Sequence, residues 1–170
     1  MFNASRTPAA RAAWWLAIPI SASLGAGALA QQPSASGSSP QVHQAEVAGA
    51  AGILAQMKAG ESTYQTVCLA CHQADGKGLP GAFPPLAGSD YLMKDKDRAV
   101  GVVVNGLQGE VVVNDTKYNS VMPAMTQLSD KEIADVLTYA MNSWGNAGGA
   151  VSVAQVTAVR AKAAAEPKKS

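Results

Sequence analysis

The sequence predicts an all-α domain of three to five helices with one small β-hairpin, closed around a large apolar group that the chain itself does not supply. Three observations point there. Helix-start signals recur: S-D-K-E at 129–132 and S-V-A-Q at 152–155 are capping boxes, in which first and fourth residues satisfy each other's backbone N–H groups. Aromatic residues are scarce, with two Phe, four Tyr and three Trp, and both Trp14 and Trp15 fall in the N-terminal apolar run. That is a thin core for a domain of this size. The third observation is C-L-A-C-H at 68–72, which holds both cysteines and one of the two histidines.

The elements follow in chain order. Residues 1–11 are polar and carry Arg6 and Arg11; the apolar run A-A-W-W-L-A-I-P-I-S-A-S-L-G-A-G-A-L-A ends at Ala28-Leu29-Ala30. A charged start, an apolar stretch and a small-x-small end predict a signal peptide over 1–30, cleaved after Ala30. The alternative is an uncleaved membrane anchor, for which Pro19, two serines and two glycines make a poor span. The expected location is therefore the periplasm. Residues 31–56 read as a flexible leader, Ser/Pro/Gly-rich to 42 and Ala/Gly-rich after it. The folded domain is expected over 57–147. A helix reads from about 57 to 70, with Tyr64, Val67 and Cys68 towards one side. Residues 73–88 hold four glycines and three prolines, which exclude regular structure. A short helix is expected around Tyr91 and a second over 96–105. E-V-V-V-N-D-T-K-Y predicts a hairpin turning at Asn114-Asp115. After the loop N-S-V-M-P-A-M-T-Q, the helix capped by Ser129 should run to about Ser143 and stop near Gly145. Residues 148–170 form a C-terminal helical tail, with Val153, Val156 and Val159 as a narrow apolar stripe.

Charge narrows the partners. Residues 57–147 hold seven basic and ten acidic side chains, a net of −3, and the tail carries Arg160, Lys162, Lys168 and Lys169 against Glu166, a net of +3. No basic stripe suggests a nucleic acid. A monomer is expected.

Two thiols and an imidazole packed within one helical turn admit three chemistries. Cys68, Cys71 and His72 share a face if the segment is helical. C-x-x-C-H is the signature of covalent haem attachment, in which the thiols form thioethers and the histidine ligates iron. A dithiol redox pair would want a βαβ context. Zinc would want four ligands, and the other histidine, His43, stands in a polar stretch. Haem attachment is the favoured reading; the other two stay open on spacing alone.

The stretches C-L-A-C-H-Q-A-D-G-K-G-L-P-G-A-F-P-P-L-A-G-S-D-Y-L and K-Y-N-S-V-M-P-A-M-T-Q-L-S-D-K-E-I-A-D-V-L-T-Y-A-M-N-S-W-G-N resemble the class I, mitochondrial-type monohaem cytochromes c, and more closely the bacterial haem domains associated with copper nitrite reductases. The resemblance covers about 57–147. It implies a cytochrome c fold around one covalent haem c, bound at Cys68 and Cys71. It implies His72 and Met122 as the iron ligands, Met122 matching the Met-Pro position, with Met125 the competitor one turn on. Met57, Met93 and Met141 sit on expected helices. It implies that the Pro84 carbonyl ties down the His72 ring, and that Gly60 and Tyr64 cross Val136 and Tyr139 where first and last helices meet. Tyr118, Asn119 and Trp144 are weaker candidates for contacts to the haem carboxylates. The implied function is one-electron transfer, not catalysis, between respiratory partners such as a copper nitrite reductase, a terminal oxidase or a dehydrogenase. The alternatives are a small haem enzyme or sensor with an open iron site, and a haem-free thiol–disulfide oxidoreductase.

Overall fold

Caps and left-handed residues divide the chain into its elements. The computed structural model describes residues 40–165, with side chains from residue 49 onward. The chain divides into Met1–Gly37, which lies outside those residues together with the expected signal peptide, and Ser38–Ser170, to which the following refers. The order is α1 Pro40–Thr63, a π-helical turn Tyr64–Cys68, α2 Leu69–His72, α3 Asp90–Lys94, α4 Lys96–Asn105, β1 Val111–Val113, β2 Thr116–Tyr118, α5 Asp130–Asn142 and α6 Val153–Ala165. The domain is mostly helical, with one two-stranded antiparallel sheet.

Helix α1 is longer than its sequence suggested. Residues 40–56, expected to be a flexible leader, are helical and run into the domain without a break. Alanine-rich sequence favours this intrinsically, and the Gln56 amide donates to the Val151 carbonyl at 3.1 Å. At Gly60 the backbones of α1 and α5 meet: a Cβ there would stand 2.1 Å from the Asp135 carbonyl oxygen and 2.9 Å from Tyr139 Cβ. One turn on, Tyr64 is 1% exposed, and its ring centroid lies 5.4 Å from that of Tyr139 and 5.1 Å from that of Trp144. The phenol donates to the Gln73 carbonyl at 2.6 Å.

The short elements obey local chemistry. Ser89 caps α3, its hydroxyl accepting from the Leu92 N–H at 3.1 Å; Asp95 caps α4, accepting from the Arg98 N–H at 3.0 Å. The hairpin turns at Asn114 and Asp115, with φ of 48° and 60°, the paired left-handed residues that match strand twist. The α5 capping box is complete: the Ser129 N–H donates to Glu132 Oε2 at 2.9 Å, and the Glu132 N–H to Ser129 Oγ at 3.3 Å. Helix α5 then buries Ile133, Ala134, Leu137, Ala140 and Met141 in one cluster with Val100, Val103 and Val104 of α4.

The C-terminal segment, set apart at residue 148 by composition, packs on this body. Val151 and Val156 are fully buried, whereas Val153 is exposed, so the expected stripe narrows to Val156 and its partly buried neighbour Val159. Arg160 Nε donates to Asp130 Oδ1 at 2.7 Å, Thr157 Oγ1 to Asp130 Oδ2 at 2.6 Å, and Arg160 Nη2 to the Leu128 carbonyl at 3.1 Å. The second capping box forms as well, between Ser152 and Gln155.

Candidate functional site

Helices α4 and α5, the hairpin and the two long loops enclose a cavity of about 240 Å³ with a predominantly aliphatic and aromatic wall. Cys68, Cys71 and His72 open onto it from the end of the long helix, and Met122 and Met125 from the loop before α5. The π-helical turn lies immediately before the cysteine pair is complete, the Leu69 N–H reaching back to the Tyr64 carbonyl. Such a turn inserts extra chain into the helix. It offsets the face that Gly60 and Tyr64 press onto α5 from the face that carries Cys71 and His72. No periodicity argument contained this, since nothing in Y-Q-T-V-C marks it.

His72 is oriented by the glycine/proline loop. Its Nδ1 lies 3.1 Å from the Pro84 carbonyl oxygen. A carbonyl can only accept, so Nδ1 carries the proton and Nε2 is left as the ligand atom. Burial pushes the imidazole below its ordinary pKa and so favours the neutral ring that ligation requires; the Pro84 bond opposes that shift. The loop can bring that carbonyl in because residue 78 has no side chain. A Cβ on Gly78, whose φ is +66°, would meet the Phe83 carbonyl oxygen at 2.3 Å and that of Pro84 at 2.6 Å. Gly76 likewise yields to the Trp144 ring, 2.5 Å from where its Cβ would be. These two glycines, read from sequence only as part of an irregular glycine/proline loop, are buried and required by packing.

Met122 is held by its backbone. It forms an antiparallel bridge with Leu107: the Leu107 N–H donates to the Met122 carbonyl at 2.8 Å, and the Met122 N–H to the Leu107 carbonyl at 2.9 Å. Gly106 makes room, since a Cβ there would lie 2.6 Å from the Met122 carbonyl oxygen. Ser120 Oγ donates to the Ala82 carbonyl at 2.6 Å and ties this strap to the loop that orients His72. Leu107 and Ser120 had no signal in the sequence beyond their place beside Gly106 and Met122.

Burial pushes the Cys68 thiol up to about 11, with Cys71 adding to the rise. A redox-active cysteine needs the opposite, a lowered pKa at a helix N-terminus; here the pair closes a long helix, where the dipole disfavours thiolate.

The cytochrome c family model matches residues 57–144, just over half of the chain. This chain belongs to the cytochrome c family. It is 44% identical over 100 residues to a cytochrome c-552 of Thermus thermophilus, covering 56% of this chain and 68% of that protein. A second Thermus thermophilus cytochrome c-552 is 48% identical over 84 residues, covering 47% and 64%. The cytochrome c subunit of a quinone-dependent alcohol dehydrogenase of Gluconacetobacter polyoxogenes is 37% identical over 105 residues, covering 59% of this chain but 22% of that subunit. The chain thus spans about two-thirds of the c-552 proteins and about a fifth of the dehydrogenase subunit.

As a c-type cytochrome the protein is an electron carrier with covalently bound haem c. The residues present suit that group. Two thiols, a neutral imidazole with one nitrogen tied down and a thioether share one apolar cavity. Of the three weaker candidates for the haem carboxylates, Tyr118 lines the cavity. Asn119 is exposed and outside the wall. Trp144 stands behind Tyr64, its indole N–H donating to the Ala74 carbonyl at 3.1 Å.

Proposed function

We propose that this cytochrome is an exported one-electron carrier whose iron is held by His72 and Met122 and which performs no reaction of its own on a substrate. One observation carries the reading: both side chains belong to a single cavity wall, and both residues are clamped, the His72 ring by the Pro84 carbonyl and the Met122 backbone by Leu107. Haem c, when bound, supplies a one-electron iron couple. The chain's part is to present one nitrogen and one soft sulfur and to keep water out. A thioether and an apolar wall both favour the reduced iron and so raise the potential. Ligands fixed by backbone bonds need not move on electron transfer.

Export is supported by the charged start, apolar run and Ala-x-Ala end of residues 1–30. Among the described residues no helix is long and apolar enough to cross a membrane. The partners are redox proteins. A dehydrogenase is the best supported, because relatives are cytochrome subunits of alcohol, fructose and gluconate dehydrogenases. A copper nitrite reductase or a terminal oxidase would serve as acceptor.

Absorption spectroscopy of protein matured in a periplasm tests the ligands. Sharp reduced-state bands with a weak red methionine–iron band are expected. A high-spin spectrum would instead mean an open-site enzyme or sensor. Haem extracted intact by acidified solvent would defeat the attachment at Cys68 and Cys71.

A further inference from the structure

The turn that follows α5 grips the glycine/proline loop at two places. Trp144 stands in the left-handed region, with φ of +53°, and Gly145 follows at +88°. A bulky residue in that conformation is costly, and it persists where the surroundings impose it. Here the turn sets the Trp144 ring against Gly76 and lets the indole N–H donate to the Ala74 carbonyl at 3.1 Å. Two residues on, Asn146 uses its whole side-chain amide. Its Nδ2 donates to the Leu86 carbonyl at 2.9 Å and to the Ala140 carbonyl at 2.8 Å, and its Oδ1 accepts from the Gly88 N–H at 2.9 Å. Two carbonyls face the nitrogen and an N–H faces the oxygen, so the amide has one orientation. Aspartate would lack both donations.

The gripped loop carries the carbonyl that orients His72. Pro84 and Pro85 have no N–H, so this stretch donates no backbone bond of its own and is placed by the residues on either side. On one side Leu79 and Phe83 form an antiparallel bridge, and Ser120 donates to the Ala82 carbonyl. On the other, the Leu86 and Ala87 N–H groups donate to the Gly76 carbonyl at 2.7 and 2.9 Å, and the Leu86 carbonyl accepts from Asn146. The Ala140 bond alone would serve to finish α5. Leu86 and Gly88 lie 60 and 58 residues from Asn146 in sequence, and ending a helix requires neither. Their bonds tie the far end of the loop to α5, and Leu86 and Ala140 both line the haem cavity.

We propose that Asn146 is a positioning residue for the iron ligand: by anchoring Leu86 and Gly88 it fixes the Pro84 carbonyl that holds the His72 ring. Trp144 supports it by pinning Ala74 and Gly76 at the near end of the loop. The proposal rests on His72 as the iron ligand. A firmly held carbonyl strengthens the imidazole as a donor and favours the oxidised iron. Loosening the anchor should therefore weaken the Pro84 bond and raise the reduction potential.

The test compares Asn146→Ala with wild type and with Val156→Ala, which destabilises the core from α6 without touching the loop. Mass spectrometry first shows covalent haem in each. Nuclear magnetic resonance of the reduced, ¹⁵N-labelled holoprotein then reads the His72 Nδ1–H, its chemical shift and its exchange relative to the buried amides of α5. The midpoint potential is read at fixed pH and salt. In Asn146→Ala the resonance should move upfield, its relative exchange should quicken by up to about tenfold, the worth of one hydrogen bond, and the potential should rise. Val156→Ala should leave the shift and the potential in place. A His72 resonance unmoved in Asn146→Ala, or moved equally by Val156→Ala, would assign Asn146 to stability alone and overturn the proposal. If Asn146→Ala does not mature, Asn146→Asp, which keeps the Gly88 bond and loses both donations, decides on the resonance: an unmoved one overturns the proposal. If the oxidised wild type shows no iron-shifted His72 signal, the ligand reading falls and the proposal with it; an iron-shifted His72 indifferent to Asn146 defeats the proposal alone.

Discussion

Single residues divide the labour at the cavity. Met122 and Met125 both reach it, but their anchoring differs. Pro123 restricts Met122 to extended backbone, and the bridge to Leu107 holds it there. The Met125 N–H donates to the Val103 carbonyl at 2.9 Å, and its sulfur accepts from Gln127 Nε2 at 3.6 Å. We therefore expect Met122→Leu to abolish the red methionine–iron band, lower the potential and let carbon monoxide bind the reduced form. Met125→Leu should leave all three nearly unchanged, since a volume-conserving apolar swap costs little; the reverse pattern would make Met125 the ligand. Gly78→Ala is expected to be harsher than its size suggests. It places a Cβ against two carbonyl oxygens in a left-handed backbone, a strain of about 1–3 kcal/mol. Denaturant unfolding of the holoprotein measures the loss, and a wild-type midpoint would show that the loop can give way without cost.

At the scale of elements, the crossing of α1 and α5 and the docking of α6 can be perturbed independently. Gly60→Ala would gain about 1 kcal/mol of helix propensity but must push the Asp135 carbonyl away from 2.1 Å. Overpacking, typically about 1–3 kcal/mol, should win, and the thermal midpoint should fall. A midpoint equal to or above wild type would mean that the helices separate freely. Helix α6 is held partly by Asp130, whose carboxyl Thr157 and Arg160 keep below the usual carboxylate range. A group depressed in the fold stabilises it above its unfolded pKa, about 3.9, and that contribution is lost as pH falls through the lowered value. Hydrogen exchange, corrected for intrinsic rates, should therefore show α6 loosening in acid before the buried face of α5. Asp130→Asn should loosen α6 already at neutral pH and flatten this dependence; an α6 equally protected at all pH values would remove Asp130 as its latch.

The described helical domain forms a shell around the cofactor cavity. Much of the apolar surface of α4, α5 and the hairpin faces the cavity as well as the core, and few aromatic residues are available to close it. Without haem that surface cannot be buried, and chain entropy should prevail. Haem-free protein, made by replacing both cysteines with alanine, is expected to lack a cooperative thermal transition. A transition near that of the holoprotein would show that the helical shell is stable by itself. Helix α6 adds to the shell on the side of α4 and α5, extending it beyond the segment in which the resemblance was legible.

The sequence by itself determined what depends on a few neighbouring residues. The two capping boxes, the Asn-Asp turn and Met before Pro act on adjacent backbone, and C-x-x-C-H sets two thiols and an imidazole within one helical turn, so their residue order suffices to read them. The resemblance extended this to His72 with Pro84 and to Gly60 against α5, but it could not say why Gly76 and Gly78 must be glycine. That was decided by Trp144 and by two loop carbonyls, which only folding brings to them. Tertiary structure likewise decided that residues 40–56 are helical, that Tyr118 enters the wall while Asn119 does not, and that α6 docks. Each of these turns on which surfaces meet across long sequence separations. Burial and packing settle that over the whole chain at once, and no local pattern records it.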